Sequence, residues 1–155
     1  MLGRLLHGIA GLADGEAAET RREKLLARAG RRLGADDALR VAELFGDLVG
    51  ARFPDEGRAT LRAARQDASL MGDQLRRAWE DFVAAETAAA PVVLVLDDLQ
   101  WGDRSTVRFV DSALKTLHDR PFLAVALGRP EMNEMFPGLF RERRVHEVRL
   151  AELTT

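Results

Sequence analysis

Two adjacent carboxylates follow directly on an apolar stretch of the chain. Asp97 and Asp98 come after residues 92–96, which read Val-Val-Leu-Val-Leu. In a parallel sheet the ligand crevice lies outside the carboxyl ends of the strands, so acids at this position face that crevice. They suit Mg²⁺, which binds one or two carboxylates together with water and substrate phosphates. The pattern predicts a magnesium site; the alternative is a pair that only ends the strand and caps the next turn.

The segment before these acids is predicted to be helical. Apolar residues recur every three or four positions within 2–12, 41–48 and 71–87, as on the buried face of a helix. Residues 16–33 are rich in Arg and Glu and have a sparse apolar face, which is typical of a helix lying on the surface. Residues 1–90 are therefore expected to form a helical half.

After Pro91 the pattern changes to short continuous apolar runs. Residues 92–96 and 122–127 are apolar on both faces, which predicts parallel strands covered by helices on both sides of a sheet. Residues 104–118 have the apolar spacing of a crossover helix between them. Residues 145–150 are predicted to form a third strand.

Three further details of this half can be predicted from residue types. Asp103 or Ser105 can cap the crossover helix, because both side chains accept hydrogen bonds from free amide groups. Pro130 is expected to open a short helix that runs to Phe136. Trp101 is expected to pack against its loop and the following helix. The fold class predicted for the whole chain is α/β.

Composition and charge limit the class of protein. The chain has 155 residues, 46% hydrophobic and 31% charged, with a net charge of −2 and no cysteine. A chain of this kind is expected to be an ordinary globular domain without disulfides or thiolate metal sites. The balanced charge argues against direct nucleic-acid binding, and no apolar run approaches the roughly 20 residues of a membrane span. The expected location is the cytoplasm.

Two linked motifs resemble a known family. Residues 94–106 read Leu-Val-Leu-Asp-Asp-Leu-Gln-Trp-Gly-Asp-Arg-Ser-Thr, and residues 122–131 read Phe-Leu-Ala-Val-Ala-Leu-Gly-Arg-Pro-Glu. Both are similar to the Walker-B and sensor-1 strands of STAND ATPase modules and of the related origin-recognition type of AAA ATPase in bacterial signalling proteins. The resemblance is specific over residues 85–131 and loose elsewhere. It implies a partial P-loop NTPase fold over residues 1–155.

The resemblance also implies a role for individual residues. Asp97 would hold Mg²⁺ through its water ligands, and Asp98 stands where AAA proteins usually place a glutamate that orients the attacking water. Arg129 would act as a sensor near the γ-phosphate of ATP, where a cation stabilises developing negative charge. A solvated arginine after a strand is the alternative for Arg129. The cofactors implied are ATP and Mg²⁺.

One part of an ATP site is missing from the sequence. Neither of the two lysines, Lys24 and Lys115, follows a glycine, so the chain lacks the Gly-Lys-Ser/Thr motif that binds phosphates. Its absence should weaken nucleotide binding by on the order of 10⁴-fold or more. We therefore expect a piece of a larger ATPase that lacks the P-loop and the lid and is inactive alone.

The family resemblance implies signalling partners. In related bacterial architectures the module is joined to a serine/threonine kinase, a cyclase or a DNA-binding regulator of the LuxR type, and homo-oligomers are compatible with it. Two other functions stay open from the sequence. One is a non-catalytic interaction module that keeps the α/β scaffold. The other is nucleic-acid binding through the arginine-rich helices, which would need a contiguous basic face.

Overall fold

The computed structural model describes residues 1–150. Five helices come first: α1 (Leu2–Ala10), α2 (Ala18–Ala29), α3 (Ala35–Val49), α4 (Ala59–Gln66) and α5 (Ala68–Ala89). They are followed by β1 (Val92–Leu96), a short 3-10 turn (Leu99–Trp101), α6 (Arg104–Thr116), β2 (Phe122–Ala126) and α7 (Met132–Met135). The predicted α/β class and the helical half are confirmed. None of the helices in this part of the chain is long and apolar enough to cross a membrane.

Helix α3 lies at the centre of the helical half. Its apolar face is buried, and Phe45 meets Phe82 of α5 edge to face with ring centroids 5.6 Å apart. Edge-to-face aromatic pairs contribute about 0.5–1.5 kcal/mol beyond the area that they bury. Gly50, with φ of 72°, ends α3 in the left-handed conformation that glycine adopts without strain. The core of the helical half is therefore built around α3 and α5.

Two arginines of α2 connect the helices around this core. Arg28 pairs with Glu86 of α5 at 2.6 Å, lies 4.9 Å from the ring centroid of Phe82 and donates to the carbonyl oxygen of Ile9. Arg21 donates to the carbonyl oxygen of Val49 at 2.7 Å. Because the Arg28 and Glu86 side chains are both about one-fifth exposed, their mutual attraction is less screened than that of a surface pair.

The two strands pair in parallel, with Val92 opposite Phe122 and Leu96 opposite Ala126. Helix α6 connects them, as the spacing predicts, although it ends at Thr116 instead of residue 118. The inner face of the sheet buries Leu94 and Leu96 in the same apolar cluster that contains Phe82 and Val110. The sheet is thus attached to the helical half through one face.

The other face of the sheet is open, contrary to the prediction that helices cover both sides. Val93 and Val95 are 59% and 56% exposed, and Leu123 is 57% exposed. Within residues 1–150 no helix lies over these side chains in a way that buries them. The sequence predicted burial because the strands are apolar on both faces, but such a pattern does not show whether this chain supplies the cover.

The predicted third strand at residues 145–150 is wrong, because this segment has no regular secondary structure. Val145 and Val148 are three residues apart and would lie on opposite faces of a strand, since side chains alternate with a period of two. Val145 would therefore stand alone on one face, and only Val148 and Leu150 would share the other. Helix α4 was not predicted from the sequence. Two paired strands do not by themselves confirm a P-loop NTPase fold.

We expect Arg28→Ala to lower the free energy of unfolding by about 2–3 kcal/mol, because it leaves the Glu86 carboxylate largely buried without its partner. Urea denaturation measures this change. The exposed Arg32, which makes no ion pair within residues 1–150, provides the control: Arg32→Ala should change stability by less than about 0.5 kcal/mol. If Arg28→Ala and Glu86→Gln add independently in the double variant, the pair does not couple α2 to α5.

Candidate functional site

The two predicted acids lie directly after β1 and are exposed. Asp98 has φ of 51° and ψ of 45°, a left-handed conformation that aspartate tolerates better than most residues. Its amide donates to Asp97 Oδ1 at 2.9 Å. This turn sends the chain away from the strand direction immediately after Asp97, so both carboxylates lie at the carboxyl end of the sheet.

Backbone hydrogen bonds continue beyond the ends of both strands. The amide of Leu127 donates to the carbonyl oxygen of Leu96, and the amide of Leu99 donates to that of Leu127, both at 2.9 Å. The loop after β1 is therefore fixed against the loop after β2. This arrangement brings the backbone of Arg129 close to the segment that contains the two acids.

Gln100 bridges the two loops. Its side-chain amide donates to Asp98 Oδ1 at 2.9 Å, and its carbonyl oxygen accepts the backbone amide of Arg129 at 3.2 Å. Gln100 is buried, so both bonds form in surroundings where an unsatisfied polar group costs about 1–3 kcal/mol. Gly128 makes room for this bridge: a Cβ there would lie 3.2 Å from Gln100 Oε1 and 2.9 Å from the sulfur of Met132.

The side chain of Arg129 is exposed, and among residues 1–150 it forms no ion pair with Asp97 or Asp98. The structure thus joins Asp98 and Arg129 through Gln100 and the Arg129 backbone, while the guanidinium is left in solvent. An exposed, unpaired guanidinium can reorient toward an anion at this edge of the sheet.

The carboxylates keep capacity for a cation. In the described part of the chain each aspartate uses Oδ1 to accept one hydrogen bond, and no donor is found for either Oδ2. Two carboxylates with free oxygens fit Mg²⁺, which keeps several of its waters. They do not fit an ion that needs a cage of protein ligands, because no group of three or more acid, His or Cys side chains with metal-binding geometry occurs within residues 1–150.

The helix after the site begins as predicted. Asp103 caps α6 by accepting from the Thr106 amide at 2.7 Å and from its hydroxyl at 2.8 Å. Burial alone would raise the pKa of Asp103, but the hydrogen bonds from Thr106 and from the α-amino group of Met1 outweigh it and hold the pKa below the usual range. Asp103 is therefore a structural cap with a stabilised charge.

Trp101 contradicts its prediction, because its side chain is 80% exposed and does not pack into the loop. The neighbouring Leu99 is completely buried and occupies the interior position of this turn. A three-residue 3-10 turn can direct only part of its surface inward, and Leu99 and Gln100 take that part. Trp101 is consequently an exposed aromatic side chain next to the acid pair.

Gln100 is the site residue that sequence reasoning missed. It appears in the resemblance as one residue of a motif, without a role. A signal was present: a polar residue between Leu99 and Trp101, two positions after an acid pair, needs hydrogen-bond partners if the turn is buried. The partner backbone of Arg129 is 29 residues away, so spacing alone could not identify it.

No protein-family model, curated protein or solved structure matches the chain.

We expect Gln100→Glu to destabilise the protein more than Gln100→Ala. A carboxylate at position 100 still accepts from the Arg129 amide, but it cannot donate to Asp98 Oδ1, and its buried charge lies beside the Asp98 carboxylate. Gln100→Ala should lower the free energy of unfolding by about 1–3 kcal/mol, and Gln100→Glu should lower it more. Urea denaturation at neutral pH measures both changes. A Gln100→Glu variant that is no less stable than Gln100→Ala would contradict the expected repulsion between the new carboxylate and Asp98.

Proposed function

We propose that this chain carries the magnesium and nucleotide centre of an AAA-type ATPase of the STAND kind, which works as a switch in a bacterial signalling protein. The observation that carries the proposal is the acid pair at the carboxyl end of β1, held by Gln100 against the loop that contains Arg129. Ligand sites of open parallel sheets are found at this edge. The sequence motifs around both loops support the same function.

The residues have separate roles in this proposal. Asp97 holds Mg²⁺ through water, and the ion when bound neutralises phosphate charge. Asp98 is fixed by Gln100 and orients a water molecule with its free oxygen. Arg129 has an exposed side chain that can reach a phosphate and stabilise charge on it. Aspartate is shorter than the glutamate usual at the position of Asp98, which favours slow hydrolysis suited to a switch.

The chain by itself is proposed to be a poor ATP binder. It has no Gly-Lys pair, so it lacks the glycine-rich backbone amides and the lysine that hold phosphates in P-loop proteins. Its two acids repel phosphate and need the metal between them. Competent ATP binding would therefore depend on a phosphate-binding segment supplied by another part of the complete assembly, and output domains such as a kinase would respond to it.

Mn²⁺ tests the metal site, because it substitutes for Mg²⁺ and broadens the NMR signals of nearby amides. We expect broadening at residues 97–101 and 127–129 in the wild-type chain. Asp97→Asn with Asp98→Asn should remove it and leave the fold intact, since asparagine keeps the accepting oxygen and tolerates the left-handed turn. Asp119→Asn, at an exposed acid in a turn, is the control.

The nucleotide part of the proposal needs a second measurement on the same samples. The exposed Trp101 reports on the site through its fluorescence, whereas Trp79 is buried and supplies a constant background. Millimolar ATP with Mg²⁺ should change the emission more than ATP with EDTA. Broadening by Mn²⁺ without this difference would support a metal site and show that the chain alone does not bind ATP at millimolar concentration; unchanged broadening in the double variant would reject the metal site at the acid pair.

A non-catalytic interaction module is the second candidate, and the open sheet face favours it. Val93 lies beside Leu123 and Val95 beside the half-buried Val125, so the exposed side chains of Val93, Val95 and Leu123 form a continuous apolar surface. Parallel sheets are normally covered on both faces. In this function the chain keeps the α/β scaffold and binds a protein through the sheet, and a second copy of the chain is the partner that can be tested directly.

If the sheet face mediates self-association, Val93→Thr with Val95→Thr should shift the monomer–dimer equilibrium toward monomer by about tenfold or more, because polar groups replace buried methyls. Sedimentation velocity over a range of concentrations measures this. Leu150→Thr is a matched control, since Leu150 is 91% exposed and lies outside the strands. A wild-type chain that stays monomeric at every concentration would exclude a second copy as the partner.

A further inference from the structure

A second concave surface lies away from the acid pair. Helix α6 and residues 135–143 form the walls of a cleft with a volume of about 490 Å³. Its apolar lining comes from Val107 on the helix and from Phe136, Leu139 and Phe140 on the opposite wall. The volume falls within the range of about 300–1,000 Å³ that is usual for ligand sites. None of its lining residues belongs to the proposed nucleotide centre.

The charged residues of the cleft are not balanced. Arg143 pairs with Asp111 at 2.8 Å and approaches Glu142 at 3.8 Å, so the two acids of the lining are both engaged by one arginine. The remaining lining arginines are exposed, and within residues 1–150 they have no carboxylate within ion-pair distance: Arg104, Arg108 and Arg141. The cleft therefore has an excess of positive charge around an apolar floor.

The position of two of these arginines increases the positive potential. Arg104 is the first residue of α6, where the helix dipole already presents partial positive charge, and Arg108 lies one turn further along the same face. The acid at that end, Asp103, is engaged by Thr106 and by the α-amino group of Met1. Cations at a helix N-terminus are unfavourable unless an anion neutralises them. A negatively charged ligand would supply that neutralisation.

We propose that this cleft binds an acidic peptide segment that also carries apolar side chains. Its Asp or Glu side chains pair with Arg104, Arg108 and Arg141, and its apolar side chains contact Phe136 and Leu139. The cleft is an open trough, so one side of the ligand remains in water. An extended peptide tolerates this exposure, whereas a small molecule is normally enclosed over most of its surface.

The test uses two synthetic hexapeptides with the same apolar residues. One is acetyl-Glu-Asp-Phe-Glu-Leu-Asp-amide, and the other replaces each acid by its amide: acetyl-Gln-Asn-Phe-Gln-Leu-Asn-amide. Titration into the ¹⁵N-labelled chain, followed by NMR, should shift the amides of residues 104–111 and 135–143 with the acidic peptide. The neutral peptide should bind at least about tenfold more weakly, and added salt should lower the affinity for the acidic peptide.

Two variants locate the interaction. The double variant Arg104→Gln, Arg108→Gln should lower the affinity for the acidic peptide by about 5- to 30-fold. Its affinity for the neutral peptide should stay unchanged, because both arginine side chains are exposed and unpaired within residues 1–150. Arg120→Gln, at an exposed arginine near the start of β2, should change neither. Equal binding of the two peptides, no shift with either, or the same loss in Arg120→Gln would overturn the proposal. Competition by inorganic phosphate that abolishes binding at equal concentration would also overturn it, since the cleft would then be a simple anion site.

Discussion

The parallel pairing of β1 with β2 is the constraint on which the site depends. The register sets Leu96 beside Ala126, and the backbone bonds between Leu96, Leu127 and Leu99 extend it past the ends of the strands. Each strand ends at the same edge because the strands run in the same direction, so whatever follows β1 must meet whatever follows β2. Leu94 and Leu96 are buried against the helical half and fix the position of β1 on it. The carboxyl edge of the sheet, which carries the site, is therefore held in place.

The site combines a rigid buried part with exposed charge. Gln100 is buried and has both ends of its amide satisfied, and such a fully bonded group holds one conformation because every alternative leaves a polar atom unpaired. The Asp97 carboxylate and the Arg129 guanidinium are in water, where ionised groups are stable without a fixed partner. The Gln100 side chain fixes the positions of the two loops, while the solvent-exposed carboxylates and the guanidinium can reorient when a ligand binds. This division is suited to a site at which a ligand binds reversibly.

Residue patterns predicted the parts of the fold that depend on local sequence. The helical stripes, both strands, the crossover helix and the Asp103 cap follow from spacing and residue type, and all are present. Apart from the third strand and helix α4, the errors concern tertiary contacts. Trp101 was placed in a packed environment because tryptophan is usually buried, yet Leu99 fills that position. The sheet was expected to be covered on both faces because its strands are apolar on both faces. Apolar residues, however, show only that a cover is favourable and not that this chain supplies it. Gln100 acquires its role from a backbone amide 29 residues away, which no local pattern contains.

The open sheet face and the missing phosphate-binding motif have a common physical solution. In parallel sheets a strand is followed by a helix that packs on one face, and the N-terminus of that helix lies at the carboxyl edge of the strands. A strand–helix unit that pairs with a free edge of this sheet and packs its helix on the open face would cover Val93, Val95 and Leu123. The same helix would direct its free amide groups toward the edge that carries Asp97 and Asp98, where phosphates are bound in such folds. A partner that only covers the apolar face would give the interaction module instead, so the geometry of the covering element decides between the two functions.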